Sequence, residues 1–167
     1  MLSIKNVTKR FAGIVAVNDS SFDVNEGTIC SLIGPNGAGK STLFNCISRV
    51  YTIDEGEIYL KDNRIDKMPA HKIATLGVGR SFQLTRVLDE LSVTENLALH
   101  TAAGFDWHLL KFAVTKEDQE RAEQIMEFLG ITHIRDLPMK ELSYGQKKLL
   151  DLGSVLMSDP SFILLDE

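Results

Sequence analysis

Short alternating runs of apolar and polar residues, broken by turns, fill the first third of the chain: LSIKNVTKRF, IVAVNDSSFDV after Ala12-Gly13, and TICSLIG after Glu26-Gly27. The pattern predicts strands, partly antiparallel. TICSLIG runs straight through GPNGAGKST into LFNCIS, whose apolar residues lie all round, as in a helix buried beneath a sheet. A further strand, GEIYLKD, follows the turn Asp54-Glu55-Gly56, and Pro69 suits the first turn of a short helix.

The period then changes. Ser92 and Glu95 have capping-box spacing ahead of NLALHTA. Thr115 to Asp118 opens a second helix, with Ala122, Ile125, Met126 and Leu129 at helical spacing and Gly130 as its stop. AAGFDWHLLKFAV between them is apolar without a period. After Ser158-Asp159-Pro160, the run FILLDE has the length and continuous apolarity of a central parallel strand buried on both faces.

A chain of 167 residues, 44% of them hydrophobic, is long enough for one domain with a real core. Its net charge of -5 comes without a basic block, so nucleic acid is not an expected partner. Cys30 and Cys46 sit in apolar surroundings without metal-ligand spacing and read as buried thiols in a reducing cytosol. The N-terminus lacks an apolar signal core and no run of about 18 apolar residues exists, so membrane association is expected to go through a partner protein.

The strongest chemical signal is Gly34-Pro35-Asn36-Gly37-Ala38-Gly39-Lys40-Ser41-Thr42, which fits G-x-x-x-x-G-K-[ST]. Glycines let successive amides turn inward toward phosphate oxygens, and the following helix adds its positive end. Lys40 would reach the β and γ phosphates of a nucleotide, and the Ser41 hydroxyl would coordinate Mg²⁺. FILLDE supplies a second part, since a strand ending in two acids delivers both to the carboxyl edge of a sheet. Asp166 would hold the magnesium shell and Glu167 would orient or deprotonate the attacking water. Alone, an apolar strand ending in acids is common; the upstream phosphate loop gives it meaning.

These two motifs serve kinases, GTPases, helicases and transport ATPases alike. A third narrows the choice: in Leu142-Ser143-Tyr144-Gly145-Gln146, Ser143 and Gln146 have the spacing of a helix N-cap, a second phosphate-seeking helix start, although a plain capped helix would look the same. Here the chain resembles the ABC ATPases, whose signature of similar form lies between phosphate loop and acidic strand. FAGIVAVN, SLIGPNGAGKSTLFNC, GRSFQ, LSVTENL and ELSYGQKK look most like the branched-chain, or hydrophobic, amino acid importer ATPases.

The resemblance implies an α/β phosphate-loop NTPase with an antiparallel N-terminal β-subdomain and an inserted helical subdomain: residues 1–83, then 84–157, then the acidic strand at 158–167. It assigns Phe11 to stacking on adenine and Gln83 to contacting magnesium and water. It implies two ATPase subunits facing head to tail, with Ser143, Gly145 and Gln146 of one closing on the ATP of the other. It further implies two transmembrane permease subunits, a solute-binding protein acting indirectly, and a peripheral place on the cytoplasmic face of a prokaryotic membrane. The family continues past the acidic strand to a switch histidine, whereas the histidines here, at 71, 100, 108 and 133, all precede it. That implies a chain cut at its catalytic glutamate, and ATP hydrolysis by this polypeptide alone is expected only at background rate. The alternatives are an importer for another solute such as urea or an amide, a soluble ABC ATPase acting on DNA or ribosomes, and a binding-only remnant; a GTPase is disfavoured because N-K-x-D is absent.

Overall fold

The computed structural model describes residues 1–81, 88–100 and 115–166. They fall into two compact units, 1–76 and 77–167.

The first unit is built on an antiparallel sheet of order β2-β1-β3-β4: β1 (Leu2–Phe11), β2 (Ile14–Val24), β3 (Glu55–Leu60) and β4 (Asn63–Arg64). β1 and β2 are joined by Ala12 and Gly13, both at positive φ, and Phe11 pairs with Ile14. That is the two-residue hairpin whose twist matches its strands. β1 does not keep strict alternation. Its register shifts against β2 around Val7, where Asn6 and, on β2, Asp19 take left-handed backbones and Asn6 Nδ2 donates to Asp19 Oδ1 at 2.8 Å. Asn and Asp tolerate that conformation better than other residues. The bulged segment lets Leu2, Ile4 and Val7 all be buried. Asp54 then ties β1 to the entry of β3: its amide donates to Thr8 O, and its carboxylate accepts from Lys9 Nζ at 3.1 Å. The Arg10 amide, also donating to that carboxylate, is the main reason Asp54 stays below the usual carboxylate range, with Lys9 adding to it.

Helix α1 (Lys40–Ile47) follows the phosphate loop and buries Leu43, Cys46 and Ile47; α2 (Ala70–Thr75) starts after Pro69 at its N-cap. The segment 28–34 departs from expectation. TICSLIG forms no strand, Ile29 and Ile33 are exposed, and Cys30 is exposed rather than buried. An apolar extended run becomes a strand only where another strand offers its hydrogen-bonding edge, and among the described residues none pairs with it.

In the second unit, β5 (Val78–Arg80) and β6 (Phe162–Leu164) pair in parallel. FILLDE is therefore a three-residue strand with one described neighbour rather than a central strand buried on both faces. Leu164 is buried and Leu165 is exposed, because a single partner strand covers only part of the run.

Helices α3 (Val93–Ala98), α4 (Lys116–Phe128) and α5 (Tyr144–Met157) share an apolar cluster that includes Val93, Leu97, Ala122, Met126 and Leu150. Each opens with a complete capping box, at Ser92/Glu95, Thr115/Asp118 and Ser143/Gln146. The side-chain oxygen of each N-cap takes an amide of the first turn, which would otherwise have no partner. Gly153 sits where α5 meets its neighbours, and a Cβ there would come within 3.0 Å of Leu97 and 3.2 Å of Leu129. Among the described residues no helix is long and apolar enough to cross a membrane.

The two thiols should separate cleanly. Burial raises the Cys46 thiol to about 11, an effect that Lys9 nearby only partly offsets, whereas Cys30 is exposed. At pH 8 only about one Cys46 in a thousand would be thiolate. Titration with a chromogenic disulfide at pH 8 should release one equivalent quickly from the folded chain and the second only in denaturant. Two fast equivalents would contradict this packing.

Candidate functional site

The phosphate loop gains its shape from two glycines at positive φ, Gly37 at 82° and Gly39 at 87°. Gly39 is the more constrained. A Cβ on it would lie 2.1 Å from the Ala16 carbonyl oxygen of β2, so the loop reaches α1 only by passing backbone against backbone. Side chains other than glycine would have to displace the strand. From Gly39, whose carbonyl accepts from the Leu43 amide at 2.8 Å, α1 begins without an acidic residue in its first turn. The positive end of its dipole is thus not neutralised locally.

Lys40 is the first residue of that helix, and its ammonium folds back across the loop, donating to the carbonyls of Gly34 at 2.8 Å and Pro35 at 2.9 Å. The turn between them is closed by the Ala38 amide on Pro35 O at 3.2 Å. Pro35, Asn36, Gly37 and Ala38 are exposed, as is Ser41 on the first helical turn, next to Thr42. A curled loop with one fixed cation, a bare helix start and an exposed hydroxyl is chemically suited to an anion with oxygen ligands and to a hard cation beside it.

Phe11 belongs to the same unit. It ends β1, and its partner Ile14 stands on β2 two positions before Ala16, against which Gly39 packs. The ring is exposed, not part of the core. Tyr51 meets it edge-on at 5.1 Å between centroids, and Lys9 Nζ lies 5.1 Å from its centroid. Because Lys9 is also held by Asp54, the ring has a fixed cation beside it and a second aromatic to limit its tilt.

In the second unit, Asp166 lies two residues beyond β6. Its backbone amide donates to Ser81 Oγ at 3.3 Å, and its carboxylate pairs with Arg80 Nη2 at 3.1 Å. The Ser143 hydroxyl caps α5, accepting from the Gln146 amide at 3.3 Å, while Gln146 Oε1 accepts from the Ser143 amide at 2.8 Å. Gly145 is exposed at ordinary φ, and a Cβ there would touch nothing within 4 Å, so the fold itself does not require glycine at that position. Gln83 and Glu167 lie outside the described residues.

Three features here were not legible from the motifs: the Ala16 carbonyl that forces Gly39, the ring of Tyr51 beside Phe11, and the Arg80 partner of Asp166. Only Arg80 left a trace, as the last residue of the short apolar run LGVGR.

A family model described as ABC transporter matches residues 17–167. The chain is 34% identical over 175 residues to the high-affinity branched-chain amino acid transport ATP-binding protein LivG of Salmonella typhimurium, covering all of this chain and 69% of the relative. It is 35% identical to the corresponding protein BraF of Pseudomonas aeruginosa, with the same coverage. Among solved structures, a nucleotide-free ATP-binding cassette from an ABC transporter matches 99% of this chain and 68% of its own at 34% identity, with a TM-score of 0.86. The ADP conformation of another such cassette matches at 35% identity and a TM-score of 0.87, with the same coverage. A phosphate loop pinned at Gly39, a capped LSYGQ helix and likeness along the whole chain agree: this chain belongs to the ABC transporter family, as an ATP-binding cassette of the α/β phosphate-loop NTPase fold.

Proposed function

We propose that the chain is the ATP-binding and ATP-hydrolysing part of an importer of branched-chain or other hydrophobic amino acids. The observation that carries the ATPase reading is the loop from Gly34 to Thr42, closed on itself by Lys40 and held against β2 at Gly39. The solute class rests on the names of the relatives and on the segments quoted above.

In this reading the amides of the loop and the Lys40 ammonium bind the triphosphate, and Phe11 stacks on the base. Ser41, Gln83 and Asp166 are oxygen donors suited to Mg²⁺, which would neutralise charge on the phosphates. Glu167 orients the attacking water or takes its proton. Ser143 and Gln146 spend their capping bonds on the helix, and the Ser143 hydroxyl proton remains to donate to a phosphate. Gly145, which the fold does not demand, leaves room for close approach. This supports a head-to-tail pair of ATPase subunits in which each LSYGQ helix completes the other's nucleotide site. The organisation as 1–83, 84–157 and 158–167 belongs to the same proposal. So do docking of the helical part on two permease subunits at the cytoplasmic membrane face and indirect service to a solute-binding protein.

Two measurements test it. Lys40→Ala should weaken ATP binding in the presence of magnesium by about 1.5 to 3 kcal/mol, the worth of a charge-assisted contact, in a calorimetric titration. Equal affinities would remove Lys40 from the phosphate site. Ser143→Arg should leave ATP binding by the single chain intact and abolish ATP-driven association, read by sedimentation velocity. A variant that still associates with ATP as the parent does would make the helix start merely structural.

A further inference from the structure

Nothing in the nucleotide motifs accounts for Arg80. It ends β5 and, through the parallel register, stands opposite Leu164, two residues before Asp166. Its Nη2 donates to Asp166 Oδ2 at 3.1 Å, and the two side chains are only 11% and 16% exposed. The backbone fixes the same meeting from both strands: the Ser81 amide donates to Leu164 O at 3.0 Å, and the Asp166 amide donates to Ser81 Oγ at 3.3 Å. A surface ion pair of two long side chains contributes little. Here one partner is a short aspartate with a tethered backbone, so the guanidinium defines which way the carboxylate faces.

We propose that Arg80 is a positioning residue for divalent-cation binding: by holding Oδ2 it presents the other oxygen, Oδ1, of Asp166 to the water shell of Mg²⁺. The inference rests on the ATPase reading above and extends it to a residue that the reading does not use. Among the described residues the contacts to this carboxylate run through Oδ2, which leaves Oδ1 for a ligand. A fixed positive charge beside a cation site would repel the bare metal. Here, however, the guanidinium is already paired with Oδ2 of the same carboxylate, so the ion pair presents little net charge to an incoming metal-triphosphate complex or to ATP alone. Partners that orient metal-binding carboxylates typically change metal affinity 10- to 100-fold when removed.

The test is the strengthening of ATP binding by magnesium, measured by titration with ATP in magnesium and in chelator. Arg80→Gln should lower that strengthening about tenfold while leaving metal-free ATP affinity unchanged. Manganese in place of magnesium, followed by electron paramagnetic resonance, should show the same loss of bound metal without reference to turnover. In an Asp166→Asn background, Arg80→Gln should add nothing further, because the group it positions is gone. Arg80→Lys keeps a charge but not the fork, so it should fall between parent and Arg80→Gln, and it carries the test if Arg80→Gln does not fold. Unchanged or tighter metal-dependent binding overturns the proposal. So does an equal loss with and without metal, which marks a purely structural role. If metal-free ATP binding still depends on Lys40 in these experiments, the ATPase reading survives even where the Arg80 proposal falls; if the parent chain binds no ATP, both fall.

Discussion

The first unit depends on one close approach, the Gly39 backbone against the Ala16 carbonyl of β2. Gly39 takes φ of 87° and has no room for a Cβ, so the phosphate loop, the start of α1 and the strand that leads from the Phe11 hairpin are fixed relative to each other at one point. From that point Lys40 can turn back onto Gly34 and Pro35, and Leu43, Cys46 and Ile47 can reach the buried side of α1. A phosphate site made of backbone amides needs this rigidity, since amides aimed in advance cost no reordering when the anion binds. Glycine is the residue that allows the approach, and the helix dipole is what the approach delivers.

The second unit solves a similar problem with side chains. Three helices each begin with a reciprocal cap, and the loop ahead of α3 is clipped to the segment ahead of α5: the Val93 amide donates to Leu137 O, and the Met139 amide donates to Leu91 O. Asn96, almost fully buried, bonds the backbone of Leu88, Leu91 and Ser92 and so orders the entry to α3. The start of α5 at Ser143 is thereby set by interactions that precede it in sequence. Its exposed start carries the capping hydroxyl of Ser143, a glycine and no acidic residue in the first turn.

What could be read from the sequence was what acts locally. Capping boxes span four residues, a two-residue hairpin spans four, and a phosphate loop spans nine, so the residue types that make them lie side by side. The features that could not be read connect distant parts. TICSLIG has the composition of a buried strand, yet a strand exists only with a neighbour, and composition does not supply one; Cys30 is exposed for the same reason. The register shift in β1 depends on Asn6 meeting Asp19 across the hairpin, and the orientation of Asp166 depends on an arginine 86 positions earlier. Phe11 could be read as adenine platform or core residue. Its exposure beside Tyr51 leaves the ring accessible, as a stacking role needs.

Residues 34–42 are proposed as a preset cradle for the triphosphate of ATP, held against the strand that leads from the Phe11 hairpin. Amide hydrogen exchange along the chain, compared with and without ATP, tests this most directly, because the amides concerned are the proposed ligands. Exchange should slow from Gly37 through Thr42 and, to a smaller extent, around Phe11 to Ile14. Exchange in the loop that ATP leaves unchanged, with protection appearing only in other segments, would contradict it.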